Sequence, residues 1–201
     1  MRQTLLIVLL FNFALFGALR EGTLSAQTRI KDVYAVAPDS IFPLLTKNNR
    51  LDQIDFLEND MKAAVKNRFD EYSELLELSD SYLHLRLSES CLVEMRLLSD
   101  STFCMVQTYN GPAPNSRVRF FGTDWAELSQ GLESPAVDEF LSEDVDTEVR
   151  LALQALPLIQ ATLSKESNQI TWKLQTSELT RKQREKVEGK VREITRLLPQ
   201  P

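Results

Sequence analysis

Residues 74–98 read ELLELSDSYLHLRLSESCLVEMRLL, and the fold turns on how they are read. Leu83, Leu85 and Leu87 fall on one side of an alternating pattern, Tyr82, His84 and Arg86 on the other. In the next run Val93, Met95 and Leu97 oppose Glu94 and Arg96. A period of two is the period of a pleated strand. Ser79-Asp80 and Ser88-Glu89-Ser90 separate the runs with turn-forming residues. The pattern continues through TFCMVQTY (102–109) and SRVRFFG (116–122). Short, evenly spaced runs of this kind predict an antiparallel β-meander of about five strands. One face is apolar and the other mixed, so one side should pack while the other stays at least partly wet.

Helical spacing takes over on both flanks. Upstream, Asp39-Ser40 before IFPLL predicts a capped helix start, with Pro43 in its first turn. Lys47-Asn48-Asn49 interrupts it, and a second helix is expected to about residue 66. Its expected stripe is Leu51, Ile54, Leu57, Met61, Ala64 and Val65, with Asp52, Asp55 and Asn59 together on a solvated edge. Phe56 points away from that stripe, so another part of the fold, or a partner, should cover it. Downstream, residues 132–148 carry seven acids and no base, and Phe140 and Leu141 should dock a short helix. Residues 158–176 read as a hairpin turning near Glu166–Gln169. Thr180 and Gln183 form a capping box that opens a final helix with stripe Gln183, Val187, Val191, Ile194 and Leu198. Residues 178–196 hold seven Lys/Arg against four Glu, so this basic helix is expected beside the acidic segment.

The fold class expected is α+β: the meander plus a later hairpin, with helices at about 39–66 and 181–198 packed on one face. The pattern leaves open whether the hairpin joins the main sheet or whether residues 27–130 and 131–201 form two lobes.

The chain starts MRQTLLIVLLFNFALFGALREGTLSAQ, with Arg2 ahead of an apolar run over 4–19 broken by Asn12. Small residues Ser25-Ala26 follow. This is the layout of a secretory signal peptide, 1–26, cut after Ala26. The run is short for a membrane span, which needs roughly 17–25 residues. The expected product, 27–201, is an exported domain, periplasmic or secreted, with no later transmembrane segment. A formal net charge of −6 argues against nucleic acid or an anionic membrane surface as partner.

Export raises the question of a disulfide between the two cysteines, Cys91 and Cys104. With the turn at Ser99-Asp100-Ser101, Cys104 faces Arg96 and Cys91 faces Tyr109. The sulfurs are then too far apart, and both cysteines are expected free. A turn moved to Leu97-Leu98 would bring them together.

Catalytic signatures are sparse. His84 is the one histidine, and it sits on a strand rather than beside a nucleophile elbow. Asp144, Asp146 and Glu148 alternate, but they lack the glycine and closing glutamate of a calcium loop. No metal site and no cofactor is expected. Asp52 and Asp55 are the one carboxylate pair worth naming for acid–base work.

The stretch APDSIFPLLTKNNRLDQIDFLENDMKAAVKN (37–67) and the run LELSDSYLHLRLSESCLVEMRLL (76–98) resemble a family of small secreted proteins largely confined to the Bacteroidales. Thr123-Asp124-Trp125 and the closing strand pair add to the likeness. The resemblance implies an envelope or exported protein of a Gram-negative anaerobe. It implies no catalytic residues, because the family has no established function.

The function expected is a non-enzymatic binding or protein-interaction module of the cell envelope. Arg50, Asp52, Asp55 and Phe56 are its candidate partner surface. One alternative is a carrier of a hydrophobic small molecule, with Leu85, Met95, Val106, Phe120 and Trp172 lining a cavity of roughly 300 Å³ or more. A second is a carboxylate-dependent hydrolase using Asp52 and Asp55.

Overall fold

A computed structural model describes residues 27–129 and 131–199. The expected signal peptide lies outside the described residues. Strands β1 (Ala64–Lys66), β2 (Tyr72–Leu78), β3 (Tyr82–Ser88), β4 (Cys91–Leu97), β5 (Thr102–Asn110) and β6 (Pro114–Gly122) form one antiparallel meander, each paired with its neighbours in sequence. The meander follows the alternating pattern, with β1 as one strand more than expected. Between β4 and β5, Cys91 pairs Tyr109 and Arg96 pairs Cys104, the register set by the Ser99-Asp100-Ser101 turn. The cysteines face opposite sides of the sheet and are free.

The helical expectations need two corrections. Residues 39–45 form turns, not a helix, so the helix expected over about 39–66 shrinks to α2 (Lys47–Glu58), and a short helix outside that range, α1 (Ile30–Ala35), precedes it. The cap is Thr46, whose hydroxyl accepts from Asn49 N at 3.1 Å while Asn49 Oδ1 accepts from Thr46 N at 3.0 Å. This is a reciprocal capping box built with an asparagine. After Asn59 the chain passes through Asp60 at φ 55 and enters β1, so Ala64 and Val65 are strand residues.

The downstream helix is likewise shorter than expected. Its Thr180–Gln183 capping box is present, but α5 spans only Arg181–Val187. Gly189 at φ +73 breaks it, and Ile194–Leu197 forms a strand, β9. β9 pairs with β8 (Gln169–Leu174), which pairs with β7 (Ile159–Leu163), giving a separate three-stranded sheet. The hairpin therefore belongs to a second sheet rather than to the meander.

The two faces of the meander are covered differently. Leu83, Leu85, Val93, Met95, Phe103 and Phe121 pack under α1, α2 and the 37–45 turns. There Phe42, Phe103 and Phe121 surround Trp125, whose indole N–H donates to Val33 O at 3.0 Å. The mixed face is not simply wet. Cys104, Val106 and Phe120 form a second core with Trp172, Ile170 and Leu163 of the small sheet. The short helices α3 (Val137–Phe140) and α4 (Thr147–Ala155) and α5 contribute Phe140, Val149, Leu153 and Val187 to it.

Arg96, on the polar face of β4, reaches into the β7–β8 turn. It donates to Asn168 Oδ1 at 3.1 Å, Ser164 O at 3.3 Å and Lys165 O at 2.7 Å. Arg96→Met removes the donor from these part-buried acceptors and should lower stability by about 1–2 kcal/mol in urea unfolding. Hydrogen exchange should then quicken across 164–170 before it does in α1 or α2. Uniform loosening of both cores would contradict this role.

Candidate functional site

The polar face of β3 and β4 carries the most unusual chemistry. Tyr82 Oη donates to Glu94 Oε1 at 2.7 Å, and Leu163 N of β7 donates to Glu94 Oε2 at 3.4 Å. His84 lies between Glu77 and Glu94 in the cross-strand pairing, and Lys165 at the hairpin tip pairs with Glu77. Burial pushes the Glu94 carboxyl above its ordinary range, against the two donors that favour its charged form. Burial likewise pushes the Tyr82 phenol up and the His84 imidazole down. Among the described residues, these groups line none of the four concavities at α5–β8, Asn115–Ile159, Leu141–Arg192 and Leu57–Asp80. Tyr82, Glu94 and Leu163 N form an inter-sheet seam whose polar atoms satisfy one another.

Each predicted site residue can be placed. Arg50 is not a surface residue: it is 1% exposed and donates to Ala37 O at 2.5 Å and Leu45 O at 3.1 Å. It ties the 37–45 turns to α2, because those turns leave carbonyl acceptors to which no helical N–H donates. Asp52 and Asp55 are exposed, and neither lines the 470 Å³ concavity that Leu57 and Glu58 of the same helix border. Phe56 is half-buried against the first core, so the fold itself supplies its cover. The stripe differs too: Leu51 and Met61 are exposed, while Arg50, Gln53 and Ile54 are buried.

The five expected cavity liners do not share a cavity. Leu85 and Met95 lie in the first core, and Val106, Phe120 and Trp172 in the second, on the opposite face. All five are close-packed and none borders a concavity among the described residues.

A concavity of 740 Å³ opens between α5, the end of β8 and the 188–193 segment. Leu174, Val187 and Val191 form its apolar floor. Its rim carries Lys173, Arg181, Arg184 and Arg192 against Glu185, Glu188 and Glu193. Arg181 pairs with Glu185 at 3.1 Å and Lys173 with Glu193 at 3.9 Å, while Arg184 has no ion pair among the described residues. A second concavity, 460 Å³, borders Asn115 and Ser116, whose polar atoms already bond to β7.

The acidic segment meets the basic one as its charge suggested. Asp146 pairs with Lys186 at 2.9 Å, Asp144 with Lys190 at 2.7 Å and Glu139 with Arg196 at 2.5 Å. Every acid of 138–148 except Glu143 is thus engaged in a surface ion pair among the described residues. No group of three or more His, Cys, Asp or Glu is placed to hold a metal among the described residues. Nor is any described helix long and apolar enough to cross a membrane.

Residues 23–196 match the family described as "Protein of unknown function (DUF3256)". The chain belongs to this family. A solved structure, described as a domain of an uncharacterized protein from Porphyromonas gingivalis W83, has the same fold as this DUF3256 chain. It matches with a TM-score of 0.68 at 19% identity, over 83% of this chain and 91% of that one. No curated protein matches. The groove was not legible in the sequence, because its floor and rim come together only when β9 replaces the second half of the expected helix.

Two outcomes follow for single residues. Glu94 has a raised folded-state pKa, so the folded state favours its protonated form. Its contribution to stability is greatest below the ordinary value of 4.5 and declines as pH rises through the folded pKa. The stability of Glu94→Gln relative to wild type should therefore increase with pH above that value, read from urea midpoints. Phe56→Ser should cost about 1–2 kcal/mol, as for a half-buried aromatic. A loss near zero would return Phe56 to the candidate partner surface.

Proposed function

We propose that this chain is an exported, non-enzymatic interaction module of the cell envelope, and that it binds an acidic, partly apolar segment of another protein in the α5–β8 groove. The observation that carries the reading is the groove itself: an apolar floor under an arginine-bearing rim, in a chain whose net charge is −6. Its open form suits a polypeptide segment better than an enclosed small molecule. The division of the five expected liners between two packed cores weighs against the carrier alternative. The exposed position of Asp52 and Asp55 on α2 weighs against the hydrolase. The signal-peptide layout of residues 1–26 supports export, and the Porphyromonas gingivalis source of the similar fold agrees with a Bacteroidales setting.

Native mass spectrometry of the protein purified gently from its own envelope fraction tests this. A complex with a second polypeptide is expected, and Arg184→Glu should weaken it about tenfold, the effect of losing one good charge contact. A small hydrophobic molecule released on denaturation would overturn the reading in favour of a carrier. An uncleaved N-terminus at Met1 together with a cytoplasmic location would remove the envelope from it.

A further inference from the structure

Sheet edges are ready-made pairing sites, and the described residues cover all but one of those in this fold. At β1, Asn49 Nδ2 donates to Lys66 O at 3.3 Å, and just beyond it Arg68 N donates to Leu44 O at 3.0 Å. At β6, Leu128 N donates to Phe120 O and Gly122 N to Ala126 O, both at 2.9 Å, so residues 126–128 run along that edge. At β7, Asn115 Oδ1 and Ser116 Oγ accept from Ile159 N at 3.1 Å and Ala161 N at 2.8 Å. β9 has no such cover among the described residues.

The phase of β9 fixes which groups are free. Leu198 N donates to Asn168 O at 2.9 Å, so the even-numbered residues of β9 turn their backbone groups toward β8. The other side of β8 agrees, since Ser164 N donates to Gln169 O at 2.9 Å and odd-numbered β8 residues serve β7. Thr195 and Leu197 therefore point their N–H and C=O groups outward. Leu197 is also 73% exposed, which makes it a large apolar side chain beside open backbone.

This edge runs out of the groove. Val191, Arg192 and Glu193 line the groove and lead directly into Ile194, the first residue of β9. A strand laid antiparallel on β9 would start beside Leu197 and end beside Ile194. Its carboxyl-terminal continuation would then lie among Arg192, Arg184 and Lys173. Resting on the groove as the binding face, we propose that β9 takes an extended strand of a partner protein, antiparallel, and that acidic residues following that strand enter the groove. Main-chain bonds to Thr195 and Leu197 supply the attachment, and the arginines select the sequence that follows.

The test is amide hydrogen exchange on the 15N-labelled protein with a synthetic peptide of alternating valine and threonine followed by a run of glutamates. Protection of the Thr195 and Leu197 amides on peptide addition is expected, with affinity lost when the glutamates are replaced by lysines. Leu197→Pro removes an outward N–H and no bond to β8, so it should weaken binding about tenfold with little change in melting temperature. Arg184→Glu should weaken it similarly while leaving the edge intact. Binding that shifts groove residues but leaves Thr195 and Leu197 exchanging freely overturns strand addition while leaving the groove standing. Concentration-dependent protection without peptide assigns the edge to a second copy of this chain and overturns the proposed partner. Absence of binding by this peptide overturns the strand proposal, and the envelope complex then decides the groove separately.

Discussion

The arrangement of the two sheets depends on one constraint: the polar face of β3 and β4 must be covered without stranding its charges. Arg96 meets it by donating to the carbonyls of the β7–β8 turn, and Glu94 by accepting from Tyr82 and from Leu163 N. A buried charge without partners costs several kcal/mol, so the small sheet cannot slide along the meander without breaking these contacts. An apolar seam would allow more registers. The seam therefore reads as a device for positioning, and the position of the small sheet in turn sets where α5 and β9 enclose the groove.

Strands were the legible part of the fold because their evidence is local and redundant. The runs from 82 to 122 combine alternation, β-branched or aromatic residues and a turn signal, and even the β4–β5 pairing follows from one turn. Helix extents were less legible. Val187, Val191, Ile194 and Leu198 have helical spacing, but Gly189 interrupts them, and an unpaired β8 edge rewards a strand at 194–197. Tertiary pairing overrides propensity in such a case. Upstream, Asp39-Ser40 looked like a cap while the actual cap, Thr46 with Asn49, was read as an interruption. A Thr-x-x-Asn box could have been found there by asking which side chain satisfies the first free N–H groups.

Arg50 shows why the candidate surface was harder to read. In a run such as NNRLDQIDFLEND, charge suggests solvent, and a buried arginine has the same sequence signature as an exposed one. What buries it is the irregular 37–45 segment, whose carbonyls need donors once it fails to become a helix. The misplacement of Arg50 and the overlong helix are thus one error. The acidic and basic segments were easier, because complementary runs of charge attract at any detailed geometry. The reading got their proximity right and had no means of finding the groove beside them.

Those ion pairs also decide what the groove has left to offer. Lys186, Lys190 and Arg196 are matched by Asp146, Asp144 and Glu139, so a partner gains little by competing for them. Arg184 is unmatched and exposed, and Lys182 beside it likewise has no ion pair among the described residues. Exposed pairs contribute only about 0–1 kcal/mol each and weaken in salt. Charge at this rim therefore governs the approach and orientation of a ligand more than its residence. Residence has to come from contacts that salt does not screen, namely the floor of Leu174, Val187 and Val191 and the open backbone of Thr195 and Leu197. The groove and the β9 edge are consequently complementary halves of one surface: the first orients an acidic chain, and the second can hold it in place.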